Sequence, residues 1–587
     1  MCGIAGIIGF KHTVSESDVK KMTDALAHRG PDGDGIWMNE ENNACLGHRR
    51  LAIIDLSDQG AQPMHSESGR YTIIFNGEIY NYVELRQSLI QAGHKFKTEN
   101  DTEVLLRLFE LKGKDCLADL DGMFAFAVWD SEKKELFCAR DRFGEKPFYY
   151  FFNGRKFAFA SEIKALWSIG IKKECNPVMA FNYEFFGYTT NPDSLSETFY
   201  SNILSLPHSH YLILNDNKVT THRYYSIDPI HVHSAIDSKI AEEKLRALFS
   251  DSVKKRLRGQ VTVGSSFSGG LDSSIIVSVI DQIKKGSGNP LQIFSAIFPD
   301  FEKNEERYIK QMIAGKNIDA HYILSDREKY EQIISKLFYQ HEEPFTSLSV
   351  VAQYFIYQKA REKNVTVLLD GQGADEVFGG YHAYYNSFLR SLYQTNKRNW
   401  YREYKAYQNV NKNNSINPKI NLGLLKQIAA EYFPNLLVRR RENKLKSQLS
   451  KDRIDFYQSH LKDKFEIRNS FNSLTEELHY QAFTFGLPTL LKYADRNSMA
   501  NGVEIRLPFL DHKIVEFLFT LPDSYKIQNG WTKWILRETY KDLLPKEICW
   551  RTDKIGLEPN AMTNVLSDRK IVLDRFEKEI CSKSDFR

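Results

Sequence analysis

Along residues 1–226 the apolar positions come in short runs broken by Gly, Asn and Asp: GIAGIIGF, RYTIIFNGEIYNY, GMFAFAVWD, KELFCARD, KPFYYFF and KFAFASE. Short runs of this composition predict strands. Only a few stretches, such as VKKMTDALAH and TEVLLRLFELKG, carry a helical period. Packed sheets with helices outside them are therefore expected. The pattern changes around 226–240, where DPIHVHSAIDSKIAEE reads as a linker running into a helix. Beyond it the apolar strands VTVGSSF, LQIFSAIF and VTVLLD alternate with longer helical stretches such as SSIIVSVIDQIKK and SVVAQYFIYQKAREK. That alternation predicts βαβ units and a parallel sheet. Residues from about 383 to 480 are rich in Lys, Asn, Gln, Tyr and Arg and have no place in that sheet. The expectation is two domains, 1–226 and 227–587, the second an α/β parallel sheet with a helical elaboration.

Composition narrows the classes without choosing among them. The 587 residues are 42% apolar and 26% charged, ample for more than one core. A net charge of +4 is small for this length and points to no nucleic-acid partner. The seven cysteines are scattered and form no CxxC pair, so neither a disulfide framework nor a zinc cluster is expected. No apolar run approaches the ~18 residues of a membrane span. The opening MCGIAGIIGF lacks the basic lead of a signal peptide. A cytoplasmic protein is the simplest expectation.

Cys2 raises the first chemical question. If Met1 is removed, the thiol sits beside a free α-amine of pKa ~7.7–8.0, which can act as its base. Other features each have a plain structural reading. HRGPDGDG can end a helix, Asn76-Gly77 can be a tight hairpin turn, Asp101 can cap a helix, and Arg50 can be a surface strand residue. Together they supply what hydrolysis of a glutamine side chain needs. Arg50 can pair with an α-carboxylate and Asp101 with an α-ammonium. The Asn76 side chain and the Gly77 N–H can face a developing oxyanion. The order MCGIAG, HRGPD, HRRLAIID, GAQP, NGEIYN and DGMFAFAVWD resembles the glutamine amidotransferases of the N-terminal-nucleophile kind. The likeness runs on through ARDRFGEKPFYY and SEIKAL. It implies an α+β domain of two packed antiparallel sheets with flanking helices. It also implies Cys2 as nucleophile, Arg50 to Ile54 and Asn76, Gly77 and Glu78 lining the glutamine pocket, and Asp101 at the amino group.

The second constellation is SFSGGLDSS at 266–274, between a predicted strand and a predicted helix. Glycines allow close backbone approach, and Ser hydroxyls with N–H groups at a helix start can cradle an anion. No Lys follows in Walker A spacing. The string resembles the pyrophosphate loop of ATP pyrophosphatases. That resemblance implies that Phe267, Ser268, Gly269, Gly270, Asp272, Ser273, Ser274, Ala296, Asp370 and Gly371 border ATP. It also implies Mg²⁺ on Asp272 and on Asp375 of LLDGQGADEVFGGY. With YADRNSMANGVEIRLPFLDHK (493–513) and GWTKWILRE (530–538), the whole resembles the glutamine-hydrolysing asparagine synthetases, with Lys533 meeting charge on an acyl-adenylate. For DRNSMA and EIRLPFLD, a packed helix and a core strand remain as good a reading as substrate contact.

The family resemblance implies a ligase that moves glutamine nitrogen onto an ATP-activated carboxylate, aspartate first of all, with glutamate, AMP and pyrophosphate released. Its partners would be small molecules, with a homodimer implied by the family alone. One departure concerns the acceptor. Many asparagine-forming members carry Ser-Gly-Glu where this chain has Asp370-Gly371-Gln372. A glutamine cannot take a proton as a carboxylate does, so a second expectation stands beside aspartate: another carboxylate, such as a sugar acid of surface polysaccharides.

Overall fold

A computed structural model describes residues 1–229, 236–286, 288–297, 305–324, 327–347, 349–412, 455, 471–552 and 569–579. Twelve described strands precede residue 224: β1 (Gly3–Gly9), β2 (Gly33–Met38), β3 (Ala44–Arg50), β4 (Met64–His65), β5 (Tyr71–Ile79), β6 (Gly122–Asp130), β7 (Glu135–Arg140), β8 (Tyr149–Phe152), β9 (Lys156–Ala160), β10 (Leu204–Ser205), β11 (His210–Asn215) and β12 (Lys218–Arg223). They form two six-stranded antiparallel sheets, ordered β10-β8-β9-β1-β3-β2 and β12-β11-β7-β6-β5-β4.

The period-2 rule decides what each sheet buries. Ile4 and Ile8 of β1 pack with Leu46, Ile74, Ala125 and Cys138 between the sheets. Ala5 and Ile7 point the other way, onto Val19, Met22 and Leu26 of the Glu16–Ala25 helix and its end. On the far side, Ile73 and Phe75 of β5 meet Val104, Leu105 and Leu108 of helix Asp101–Lys112. The result is helix, sheet, sheet, helix. Asn76 and Gly77 sit inside β5, opposite Ala125 and Phe124 of β6, so the hairpin-turn reading is replaced by a strand interior. A Cβ on Gly77 would lie 2.2 Å from the Met123 carbonyl oxygen, which is why the position takes glycine.

The second half is built on β13 (Val263–Ser266), β14 (Leu291–Ile297), β15 (Ile318–Leu324), β16 (Val367–Leu369) and β17 (Glu504–Arg506). All neighbours in the order β15-β14-β13-β16-β17 run parallel. The chain leaves β13 toward β15 and returns to the other side of β13, so the order reverses between β13 and β16. Open parallel sheets bind ligands beyond the strand ends at such a reversal. Within 383–480 the described residues are helical over Tyr384–Thr395, Lys397–Val410 and Leu474–Phe483, while 413–454 and 456–470 lie outside the description. Of the linker, 230–235 also lie outside it; Asp237 caps helix Ser238–Arg256 by accepting from the Lys239 N–H at 2.8 Å.

One apolar cluster runs through both halves, taking Met1, Leu51, Ile53 and Tyr80 together with Ile275, Val367 and Ile505. Buried ion pairs also join them: Arg29 to Asp495 at 2.8 Å, Glu78 to Arg506 at 2.9 Å, and the terminal amine to Glu504 at 3.2 Å. Among the described residues Cys2, Cys45, Cys116, Cys138 and Cys549 are free thiols, and Cys175 is disulfide-bonded. No described helix is long and apolar enough to cross a membrane.

Candidate active sites

Strand β1 places Cys2 at its mouth, where the residue is 8% exposed. Its N–H donates to Asn76 Oδ1 at 3.1 Å, and its carbonyl accepts from Arg29 Nε at 3.0 Å. Burial pushes the Cys2 thiol up, while the positive terminal amine pulls against that rise. The Asn76 oxygen is committed to Cys2 and its Nδ2 is a buried donor with no acceptor, though Asn76 itself, unlike Gly77, is not among the residues lining the cavity around Cys2. An orphaned donor beside a thiol is what an oxyanion would use.

Around Cys2 lies a cavity of about 30 Å³ lined among others by Met1, Arg50, Ile54, Gly77, Glu78 and Asp101. That is room for little more than a water while Met1 stays in place. Arg50 ends β3, and its guanidinium donates to the Ser57 carbonyl at 2.7 Å and to the Asp55 carbonyl. Asp55 takes the left-handed conformation (φ 55°) that turns the 51–57 loop over Arg50. Gly60 gives the guanidinium its room, since a Cβ there would sit 2.3 Å from Nη2. At the other end Asp101 accepts from the Ile79 N–H at 2.9 Å, and burial pushes its carboxyl up to about 7. Asn100, not Asp101, caps the helix by accepting from the Thr102 N–H at 2.8 Å, which leaves Asp101 available to the pocket. Glu504 and Arg506 complete the setting from the second half of the chain. Their motif, EIRLPFLD, suggested only a core strand or substrate contact; sequence spacing gave no sign that β17 would reach Cys2.

The second site opens beyond the ends of β13 and β16 as a cleft of about 340 Å³. Its lining includes Phe267, Ser268, Gly270, Asp272, Ser273, Ala296, Asp370 and Gly371, eight of the positions expected to border ATP, with Asp375 and Gln372. Gly269 and Ser274 are outside the lining. Gly269 serves the turn, with φ +72°, and Ser274 is fully buried in helix Leu271–Ile283. The loop Ser268–Gly270 runs into the N-terminus of that 13-residue helix, a setting suited to phosphate.

Lys533 pairs with both expected magnesium ligands. Its Nζ lies 2.6 Å from Asp272 Oδ2 and 2.7 Å from Asp375 Oδ1. Burial works against its charge, but the two carboxylates outweigh burial and raise its pKa. A Cβ on Gly380 would fall 1.8 Å from Asp375 Oδ1, so glycine is needed for this approach. The two expected magnesium ligands therefore already converge on one cation. Hard oxygen donors meeting beside a phosphate-type loop fit Mg²⁺. A chamber of about 110 Å³ shares Ser268, Gly270, Asp272 and Asp375 with the cleft, and adds Arg537, Arg551 and His382. These three side chains come from separate helices and loops, so no local spacing in the sequence groups them. Asp370 is half-buried, accepts from the Ser266 hydroxyl and from the Gln372 N–H at 3.0 Å, and desolvation raises its pKa. Asp495 of DRNSMA faces away from the cleft onto Arg29, as the packed-helix reading expects.

A family model described as a glutamine amidotransferase domain matches residues 1–225, and one described as asparagine synthase matches 244–584. Among curated proteins, glutamine-hydrolyzing asparagine synthetase 1 of Bacillus subtilis (strain 168) is 31% identical over 564 residues, covering 95% of this chain and 86% of the relative. Glutamine-hydrolyzing asparagine synthetase 3 of the same organism is 30% identical over 570 residues, covering 94% and 86%. The order of the two matched domains follows the two sites, a thiol pocket in the first sheets and a phosphate-type cleft on the parallel sheet. This chain belongs to the glutamine-hydrolysing asparagine synthetase family, as a ligase with a glutamine amidotransferase domain and an ATP-using asparagine synthase domain.

Proposed function

We propose that Cys2, once Met1 is removed, hydrolyses glutamine and that the freed ammonia amidates a carboxylate activated at the β13–β16 cleft. The observation that carries the first step is Asn76, which accepts from the Cys2 N–H at 3.1 Å and keeps its Nδ2 donor buried and unpartnered. The α-amine of Cys2 takes the thiol proton, and the sulfur attacks the amide carbon. Asn76 and Gly77 hold the oxyanion while ammonia leaves, and water then cleaves the thioester to glutamate. Arg50 holds the α-carboxylate, and Glu78 with Asp101 the α-ammonium. At the cleft a carboxylate oxygen attacks the α-phosphorus of ATP, giving an acyl-adenylate and pyrophosphate. Ammonia attacks that acyl carbon and AMP leaves. Asp272 and Asp375 would hold Mg²⁺, which supplies charge neutralisation for the phosphates. Lys533 holds a proton-rich ammonium where the phosphates' charge would gather.

Aspartate is the acceptor that the names of the relatives support. A second reading, a carboxylic acid of another class such as a sugar acid, is favoured by Gln372 in the lining beside Asp272, Glu305, Asp370 and Asp375. A glutamine at 372 cannot take a proton as a carboxylate does. ATP-dependent pyrophosphate release, screened with aspartate and a panel of sugar acids, decides between them. Release with aspartate supports the first reading; release with sugar acids alone replaces it.

Two further outcomes are expected. Asn76→Ala should lower glutamine hydrolysis by about 10²–10³-fold, the usual cost of one oxyanion donor. Glutamine binding to a Cys2→Ala variant at pH 7 should release protons, because burial raises the Asp101 carboxyl to about 7 and it must ionise to meet the α-ammonium. Calorimetry in two buffers of different ionisation heat measures this, and Asp101→Asn should lower the release. An unchanged value in Asp101→Asn would assign the proton elsewhere.

A further inference from the structure

Strand β17 belongs to the parallel sheet, yet its side chains work on the other site. Glu504 and Arg506 are two residues apart, so both project from the same face. Both are fully buried. Glu504 pairs with the terminal amine at 3.2 Å and Arg506 Nη2 with Glu78 Oε2 at 2.9 Å. Arg506 is held in turn by Glu504 Oε1 at 2.6 Å from Nε, and by the Arg256 carbonyl at 2.9 Å from Nη1. Its guanidinium is thus fixed before any substrate arrives. Glu78 is otherwise poorly placed to carry charge. Burial, with the nearby Asp101 and Glu504, leaves its carboxyl raised well above the usual carboxylate range, although Arg506 opposes that rise more than any other group. The second carboxylate oxygen, Oε1, is buried with no partner and belongs to a residue lining the glutamine pocket.

We infer that Arg506, supplied by the synthetase half, is a positioning residue for glutamine hydrolysis that holds one Glu78 oxygen and so leaves the other aimed at the substrate's α-ammonium. It touches no reacting atom and acts through Glu78. The first half of the chain therefore lacks a complete glutamine pocket until β17 docks on it. This inference rests on the glutaminase reading of the Cys2 pocket.

Glutamate release from glutamine by the full chain tests it. In Arg506→Gln, which keeps length and loses charge, glutamine KM should rise at least about tenfold while kcat stays within about threefold. Arg506→Lys should recover most of the affinity. Glu78→Gln alone should raise KM similarly, and the double variant should be no worse than Glu78→Gln. An unchanged KM in Arg506→Gln overturns the inference. So does a parallel loss of kcat and KM that Arg506→Lys does not rescue and that adds to the Glu78→Gln effect, since that pattern is a general structural defect. Failure of the unaltered chain to release glutamate would instead refute the glutaminase reading itself.

Discussion

Replacing Cys2 with Ala should abolish glutamate release, by about 10⁴-fold or more, while ammonia-dependent pyrophosphate release stays within about twofold. The size follows from what the thiol does: without it no thioester forms, and the remaining oxyanion donors have nothing to stabilise. The selectivity follows from distance in the fold. Cys2 opens β1 of the first half, whereas the phosphate-type loop Ser268–Gly270 follows β13 of the second. The substitution is also structurally mild. Cys2 makes its hydrogen bonds to Asn76 and Arg29 through its backbone N–H and carbonyl, which alanine retains. The thiol itself lies 4.0 Å from the Leu51 carbonyl, a weak contact to lose. Loss of both activities would count against two separable sites. Mass spectrometry adds a condition: active material should begin at Cys2, and a fully active chain retaining Met1 would refute the amine-base mechanism.

Replacing Lys533 with Met should produce the second large effect, at the other site. Pyrophosphate release should fall by about 10²–10³-fold, as for loss of one preorganised charge, with glutamine hydrolysis nearly unchanged. The folded state should also suffer, because Asp272 and Asp375 would face each other without the ammonium between them. Breaking a fully buried ion pair costs ~3–5 kcal/mol. The side chains of Asp272 and Asp375 are 20% and 16% exposed, so the lower end of that range or less is expected here. Mg²⁺ should then raise the thermal midpoint of Lys533→Met more than that of the unaltered chain, since the ion replaces the missing charge. Equal Mg²⁺ responses would argue that the two carboxylates do not share a cation.

Several elements were legible along the chain and others were not, for reasons particular residues make plain. GIAGIIGF reads as a strand because alternate positions serve two different cores, with Ile4 and Ile8 on one side and Ala5 and Ile7 on the other. IDAHYIL, which forms β15, escaped notice. It is an edge strand, only partly buried, and its Asp319 and His321 break the apolar run. The hairpin of β11 and β12 was also missed, although its turn is visible afterwards in Asp216 and Asn217, both with positive φ. For Asn76-Gly77 two readings stand side by side, a turn for the dipeptide alone and a strand for the run RYTIIFNGEIYNY; it sits mid-strand, because glycine answers the Met123 carbonyl rather than a bend.

Local order along the chain carried the strand and helix types, the two motif sets and the chemistry each residue could offer, since those depend on near neighbours and side-chain type. Which groups meet was decided only by the packed structure. Lys533 finds Asp272 across 261 positions, and Arg506 finds Glu78 across 428. Such pairs leave no spacing pattern to read. They arise because a buried charge is tolerated only where the fold brings it a partner, and that partner is chosen by how sheets and helices dock.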